Sequence, residues 1–242
     1  MKRRLLLALA LLTAFTAGAQ QRWRFEAGAG LSLGGAVPVP LPVEIRSIEG
    51  FNPGFNPWLG GTACYSFGRT GIASGIRIGR KSMATAARVK NYSTAIEKDG
   101  NSIEGRWTGF VQTACSAWDV TLPLMAVWPA GERLSLRGGI YASCSVSRRF
   151  GGYVSDGYLR EGDPTGPKIA FSKDDRADYS FPDALKPIHT GVLAGFTYYL
   201  DTDFGLVAEL TADFDSIFRS SFSAVSFDMW RIYGSLGASY RF

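Results

Sequence analysis

Three features of this 242-residue chain predict an all-β fold: an eight-stranded antiparallel transmembrane up-and-down β-barrel with short periplasmic turns and long extracellular loops. First, apolar and polar residues alternate with period two, the spacing at which a strand turns successive side chains to opposite faces. Second, the connections between those runs alternate tight and long, as barrels do when turns face the periplasm and loops face outside. Third, beyond residue 19 nothing has the ~20 apolar residues of a helical span, and no helical stripe is sustained. A closed barrel is the other way to pair every backbone polar group inside a bilayer.

The first element precedes the barrel. Met1-Lys2-Arg3-Arg4 is basic, residues 5–15 form an apolar run, and Ala17-Gly18-Ala19 offers a small-x-small cleavage site. That order reads as a secretory signal peptide over 1–19, leaving a barrel domain over 20–242. The run is short of a membrane helix, and no cysteine follows the site, so a lipoprotein is not expected. Loss of Lys2, Arg3 and Arg4 lowers the formal net charge from +5 to +2. The remaining arginines are scattered, whereas nucleic-acid binding needs them on one face. The expected location is the outer membrane.

Strands are expected at 22–34, 56–67, 71–80, 113–128, 133–148, 188–200, 204–217 and 228–242. Tight turns then fall at 68–70, 129–132 and 201–203, and long loops at 36–55, 81–112, 150–187 and 220–227. In the first strand Trp23, Phe25, Ala27, Ala29, Leu31 and Leu33 oppose Arg22, Arg24, Glu26, Gly28, Gly30 and Ser32. In the seventh, Phe204, Leu206, Ala208, Leu210, Ala212 and Phe214 oppose Gly205, Glu209, Thr211 and Asp213. An Arg or Lys facing lipid at the midplane costs ~2–4 kcal/mol, so the polar set is expected inside. Arg22, Arg24, Glu26, Arg77, Asp119, Arg133, Arg137, Glu209, Asp213, Arg231 and Arg241 would neutralise one another there. The interior of an eight-stranded barrel is just filled by side chains, which favours a mixed-charge plug over a channel. Trp23, Phe67, Trp128, Tyr198, Phe204 and Phe242 are expected near the periplasmic rim, and Trp58, Trp118, Phe214 and Trp230 near the outer one. These would be the two aromatic belts of such a barrel.

The last strand ends on Tyr240-Arg241-Phe242. A terminal aromatic with Tyr240 two residues before it resembles the C-terminal signal by which Gram-negative outer-membrane barrels are assembled. Two inner segments, Trp118-Asp119-Val120-Thr121-Leu122-Pro123-Leu124 and Leu134-Ser135-Leu136-Arg137-Gly138-Gly139-Ile140-Tyr141, resemble the fourth and fifth strands of the PorT-like outer-membrane β-barrel family. Asp119 stands where that family more often has Glu. Pro123 cannot donate to a strand ladder, so a bulge is expected there. The resemblance implies an outer-membrane barrel, some members of the family being accessories of protein secretion.

Chemistry-bearing residues are few. His189 is the single histidine, expected as a solvated rim residue. The enzymatic alternative, a barrel-embedded lipid hydrolase, would set it beside Ser180 with Asp178 or Asp183. Cys64, Cys115 and Cys144 lack metal-ligand spacing and are expected as separate strand fillers, although one pair could bridge in an oxidising compartment. The run Lys173-Asp174-Asp175-Arg176-Ala177-Asp178 reads as a solvated loop of alternating sign in preference to a cation site. Gly28-Ala29-Gly30 followed by Gly34 opens no helix and is no dinucleotide fingerprint. No cofactor, metal or nucleic acid is expected. The expected partners are outer-membrane lipid, the barrel assembly machinery, and a protein or ligand met through the loops. The expected role is that of a non-enzymatic scaffold, with a small-solute pore as the other alternative.

Overall fold

The computed structural model describes residues 22–98, 101–181, 183–222, 225 and 227–242; the expected signal peptide lies outside them. Its strands are β1 (Trp23–Pro38), β2 (Ile45–Asn52), β3 (Pro57–Phe67), β4 (Thr70–Lys98), β5 (Asn101–Pro129), β6 (Leu134–Glu161), β7 (Lys168–Phe171), β8 (Ala177–Ser180), β9 (Ile188–Tyr199), β10 (Phe204–Asp213) and β11 (Met229–Arg241). Eight of them pair in a ring, β1-β3-β4-β5-β6-β9-β10-β11, and β11 returns to β1 along Glu26↔Arg241 to Pro38↔Met229. Each joint is antiparallel, and the ring has no open edge. At one end the joints are tight. Asp201 holds the β9–β10 turn by accepting from the backbone N–H groups of Phe204 at 2.6 Å and Asp203 at 2.9 Å. Those bonds, Phe204 first, keep its carboxyl below the ordinary aspartate value.

The wall is apolar outside and polar inside. Leu59 and Leu236 are 65% and 64% exposed, while Asp119 and Glu209 inside are 3% and 4% exposed. This inverts a water-soluble core, as a lipid solvent demands.

Three strands outgrow the membrane. β4 and β5 have 29 residues each and β6 has 28, against the ~9–11 that cross a bilayer. The expected loops at 81–112 and 150–187 are therefore largely strand, with β4 and β5 paired from Gly71↔Val127 to Lys98↔Asn101. The alternation continues above the membrane but changes chemistry, and a bulge between Val89 and Tyr92 shifts its phase, which hides it from a period-two reading. Asn91 sits in that bulge at φ 58°, a left-handed conformation that Asn tolerates. β2, inside the expected 36–55 loop, adds to the upper edge of β4 from Ile45↔Val89 to Asn52↔Ala84. β7 and β8 pair with β6, and β8 also meets β4 at Glu97↔Asp178. In contrast, β10 ends at Asp213, short of the expected 217.

These additions form an extracellular cap with a core of its own. Ile96, Trp107, Val154 and Leu159 are fully buried in it. Phe150 packs edge-on against Phe218 at 5.1 Å and Phe222 at 6.2 Å between ring centroids. The Trp107 Nε1–H donates to the Phe110 carbonyl at 3.1 Å, so the buried indole leaves no polar atom unpaired.

Pro123 causes no bulge. Its pairing with Tyr141 on β6 is regular. Towards β4 the ladder passes from Ser74↔Leu124 to Arg77↔Thr121 with the register unchanged. The missing N–H removes a rung and leaves the alignment intact. The bulges of the β5–β6 pair fall instead at Gly109/Phe110 and Trp118/Asp119.

Candidate functional site: a bridged lumen and an apolar cavity above it

Ion pairs cross the lumen at three heights. Nearest the periplasm, Glu26 of β1 accepts from Arg241 Nη2 at 3.1 Å and lies 3.7 Å from Arg137 Nη2 of β6; the Tyr199 hydroxyl also donates to it. Higher up, Arg77 of β4 makes a two-pronged pair with Glu209 of β10, the second prong at 3.2 Å, and its guanidinium covers the Trp58 ring at 4.6 Å. Above that, Arg231 of β11 reaches Asp119 of β5 and Asp213 of β10, each at 2.7 Å. Ser145 donates to Asp119 at 2.6 Å, and Tyr141 donates to Asp213. The pairs β1/β6, β4/β10 and β5/β11 each stand four places apart in the eight-strand ring. Each height is thus bridged between opposite walls. The spaces left between these bridges include a void of about 100 Å³ at the periplasmic mouth and one of about 40 Å³ at mid-height.

Most of the aromatics expected in the belts do face outwards. Trp23, Phe67, Trp128, Tyr198, Phe204 and Phe242 are exposed at the tight-turn end, with Tyr240 beside Phe242 at 5.2 Å between rings. Trp118 and Phe214 are exposed at the other end, and Trp230 is half-buried there. Trp58 is a correction: it is buried inside the barrel. A Cβ on Gly237 would lie 2.6 Å from its ring, so the absent side chain makes room for the indole. Parity carries the signal, because Phe67 faces out and Trp58 is an odd number of residues away on one strand.

Arg22 and Arg133 are also corrections, being exposed at the periplasmic rim instead of inside; Arg22 donates to the Tyr65 hydroxyl at 3.2 Å. Arg24, exposed at the same mouth, donates to Ser66 at 2.6 Å. His189, expected in solvent, is buried. It sits on β9 opposite Ser143, with Nδ1 3.4 Å from Asp213 Oδ2 but no well-formed hydrogen bond there. The segment that carries the Leu185↔Phe218 bridge leads into β9 just before it. Ser180 pairs with Gly151 of β6 while His189 pairs with Ser143, roughly 25 Å apart at ~3.3 Å per residue. Asp178 travels with Ser180 on β8, and Asp183 is exposed. The Ser–His–Asp grouping is therefore not assembled. Cys64 is buried, Cys115 half-buried and Cys144 exposed, and all three are free thiols. Among the described residues no cluster of metal-ligating side chains forms.

A cavity of about 190 Å³ lies beside the cap core, walled by β1, β2, β4 and β5 and by residues such as Leu41, Ile48, Phe51, Met83, Val111 and Phe227. Sequence reading missed it because nearly all of its wall lies in segments expected to be loops. On the outer surface above it, Arg88 is held by Glu49 at 2.9 Å and Asp156 at 2.7 Å. Asp156 foremost, with Glu49, raises its already high pKa.

Residues 18–220 match the family described as outer membrane protein beta-barrel domain. The chain belongs to that family. No curated protein matches it. Solved structures similar to this outer-membrane barrel include Ail of Yersinia pestis, 12% identical, with a TM-score of 0.41 over 91% of this chain and 99% of that one. OprG of Pseudomonas aeruginosa is 12% identical, with a TM-score of 0.36 over 91% and 96%. The protease OmpT of Escherichia coli is 12% identical, with a TM-score of 0.36 over 91% and 97%. Family membership puts the apolar wall of this barrel in the outer membrane and its long strands outside the cell.

Proposed function

We propose that this outer-membrane barrel is a non-enzymatic binding scaffold, whose wall anchors it in lipid and whose cap meets a partner or ligand outside the cell. The observation that carries this reading is the cap: a unit with its own buried core, built on strands continuous with the membrane wall. A rigid, wet platform of that kind suits recognition. The three cross-lumen bridges speak against a small-solute pore, and the separation of His189 from Ser180 speaks against the hydrolase. Within the family we place the chain among PorT-like proteins, on the strength of residues 118–128 and 134–143, with a protein-secretion accessory role as the family-level form of the same reading. Export through cleavage at 1–19 and assembly by machinery that reads Tyr240 and Phe242 belong to it too. Phe242→Asp should then sharply lower the amount of heat-modifiable, assembled protein while leaving export intact.

The test replaces residues 168–180, which carry β7 and β8, with a short Gly/Ser link. The eight-strand ring should still assemble and stay electrically silent in planar bilayers, while recovery of envelope partners falls. Steady conductance by the wild type would defeat the scaffold reading in favour of a pore. An envelope-lipid modification lost in a fully assembled His189→Ala protein would defeat it in favour of an enzyme.

A further inference from the structure

The cavity beside the cap core is almost wholly apolar, unlike the charge-lined voids of the lumen. Its floor is at the membrane's outer face, because Val37 pairs with Trp230 and Pro38 with Met229 across the closing seam of the ring. Its depth is formed by buried Met83, Ala87, Val89 and Val111. Its mouth is formed by Leu41, Ile48 and Phe51, which line it and are nevertheless 56%, 58% and 53% exposed. Val39 and Val43 flank that mouth at 56% and 79% exposed. Below it, Phe55, Leu33 and Leu59 are exposed as well, so exposed apolar side chains continue from the lipid-facing wall up to the cavity mouth. Exposed apolar surface on this scale marks a ligand or membrane contact in a folded protein.

The volume bears on what could enter. At about 190 Å³ the cavity exceeds the ~150 Å³ at which an apolar pocket stays dry and admits a benzene-sized guest. It is too small for a whole lipid and suited to the end of one chain. Arg46 is exposed on β2 without an ion-pair partner among the described residues, and Lys90 is exposed where its backbone N–H meets the Glu44 carbonyl at 2.8 Å. With Arg88 they are balanced by Glu44, Glu49 and Asp156, so the entrance selects for the apolar chain and not for a headgroup charge.

We propose that this cavity holds the end of an acyl chain from a lipid of the outer leaflet, which enters between Leu41 and Phe51 from the membrane side. The site gives the binding scaffold one ligand of stated chemistry and rests on that reading of the barrel.

The test uses the full mature protein reconstituted in phosphatidylethanolamine–phosphatidylglycerol vesicles that contain a phospholipid with a diazirine at one chain end. After irradiation, peptide mass spectrometry should find adducts on Met83 and Val111, which no bilayer lipid can touch from the wall, besides adducts along the girdles. Ile48→Asp alters an exposed side chain and should leave assembly intact. It should cut the cavity adducts roughly tenfold by placing a charge in the apolar entrance, with girdle adducts unchanged. Ala87→Phe should do the same by filling the space. No cavity adducts, or adducts indifferent to Ile48→Asp, would overturn the proposal. Labelling by a diazirine fatty acid added from water but not by the phospholipid would overturn it in favour of a free hydrophobe. Crosslinks between two copies through Leu41 or Phe51 would overturn it in favour of a dimer contact. Conductance measured on the same vesicles reads the scaffold separately: a silent barrel without cavity adducts sinks the acyl-chain site alone, and a conducting one sinks the scaffold whatever the adducts show.

Discussion

The barrel wall and the cap share three strands and solve opposite problems with them. On β4 the inward face carries Arg77 and Lys81 within the membrane and Met83, Ala87 and Val89 above it, while the outward face changes from Ile76 and Ile78 to Arg88 and Lys90. On β5 the inward change falls between Asp119 and Ala117. No turn marks either change and the β4–β5 ladder runs through both, although the β5–β6 ladder carries its bulge at Trp118/Asp119. Which face of a strand is apolar thus follows the medium outside it: lipid requires apolar residues outward, and water requires them inward. The place where both faces exchange chemistry locates the outer membrane surface on this protein to within a few residues.

The largest break to that contrast would come from stranding a charge in the wall. Asp119→Leu leaves Arg231 in the lumen with one of its two carboxylates gone, and losing one partner of a buried pair costs ~3–5 kcal/mol. Heat-modifiable protein should unfold at distinctly lower urea, whereas removing both partners together in Asp119→Leu/Arg231→Met should recover much of the loss. A comparable loss confined to the cap is expected for Trp107→Ala, since deleting a buried Trp costs ~3–5 kcal/mol. Limited proteolysis should then cut the cap while the wall survives, and a wall that unfolded with it would show the two regions to be one cooperative unit. Next comes Ile76→Arg, half-exposed to lipid, which should cost ~2–4 kcal/mol according to its depth, read from refolding yield in vesicles. The smallest effect belongs to Arg88→Ala on the same outward face. Its pairs with Glu49 and Asp156 are exposed, and such pairs contribute ~0–1 kcal/mol. Equal effects of these last two would mean that both sites meet the same solvent.

The wall was legible in the sequence because lipid on one side and paired charges on the other keep a clean period of two over 23–33 and 204–213. The cap was not. Around Val89 and Tyr92 the bulge shifts the phase, and above the membrane small residues such as Ala84, Ala86 and Ala87 occupy both faces, so composition no longer distinguishes in from out. The diametric pairing of Arg77 with Glu209 and of Asp119 with Arg231 needed the ring order, which local pattern does not contain, although the residue types facing inward were readable. Trp58 was misplaced by its chemistry when its parity against Leu59 and Phe67 placed it inside. His189 is buried because strands of the cap, which carry no clean alternation, continue above it.

Because β4, β5 and β6 run unbroken from the bilayer into the cap, the protein has no joint between its anchored and its free part. A force applied to the cap loads those ladders lengthwise, so rungs share it in shear instead of parting one after another. A tilt imposed at the top must be matched by a tilt of the wall or by bending of the strands themselves. The cap behaves as the stiff end of a mast set in a fluid deck, and its bearing relative to the membrane is fixed by strand inclination.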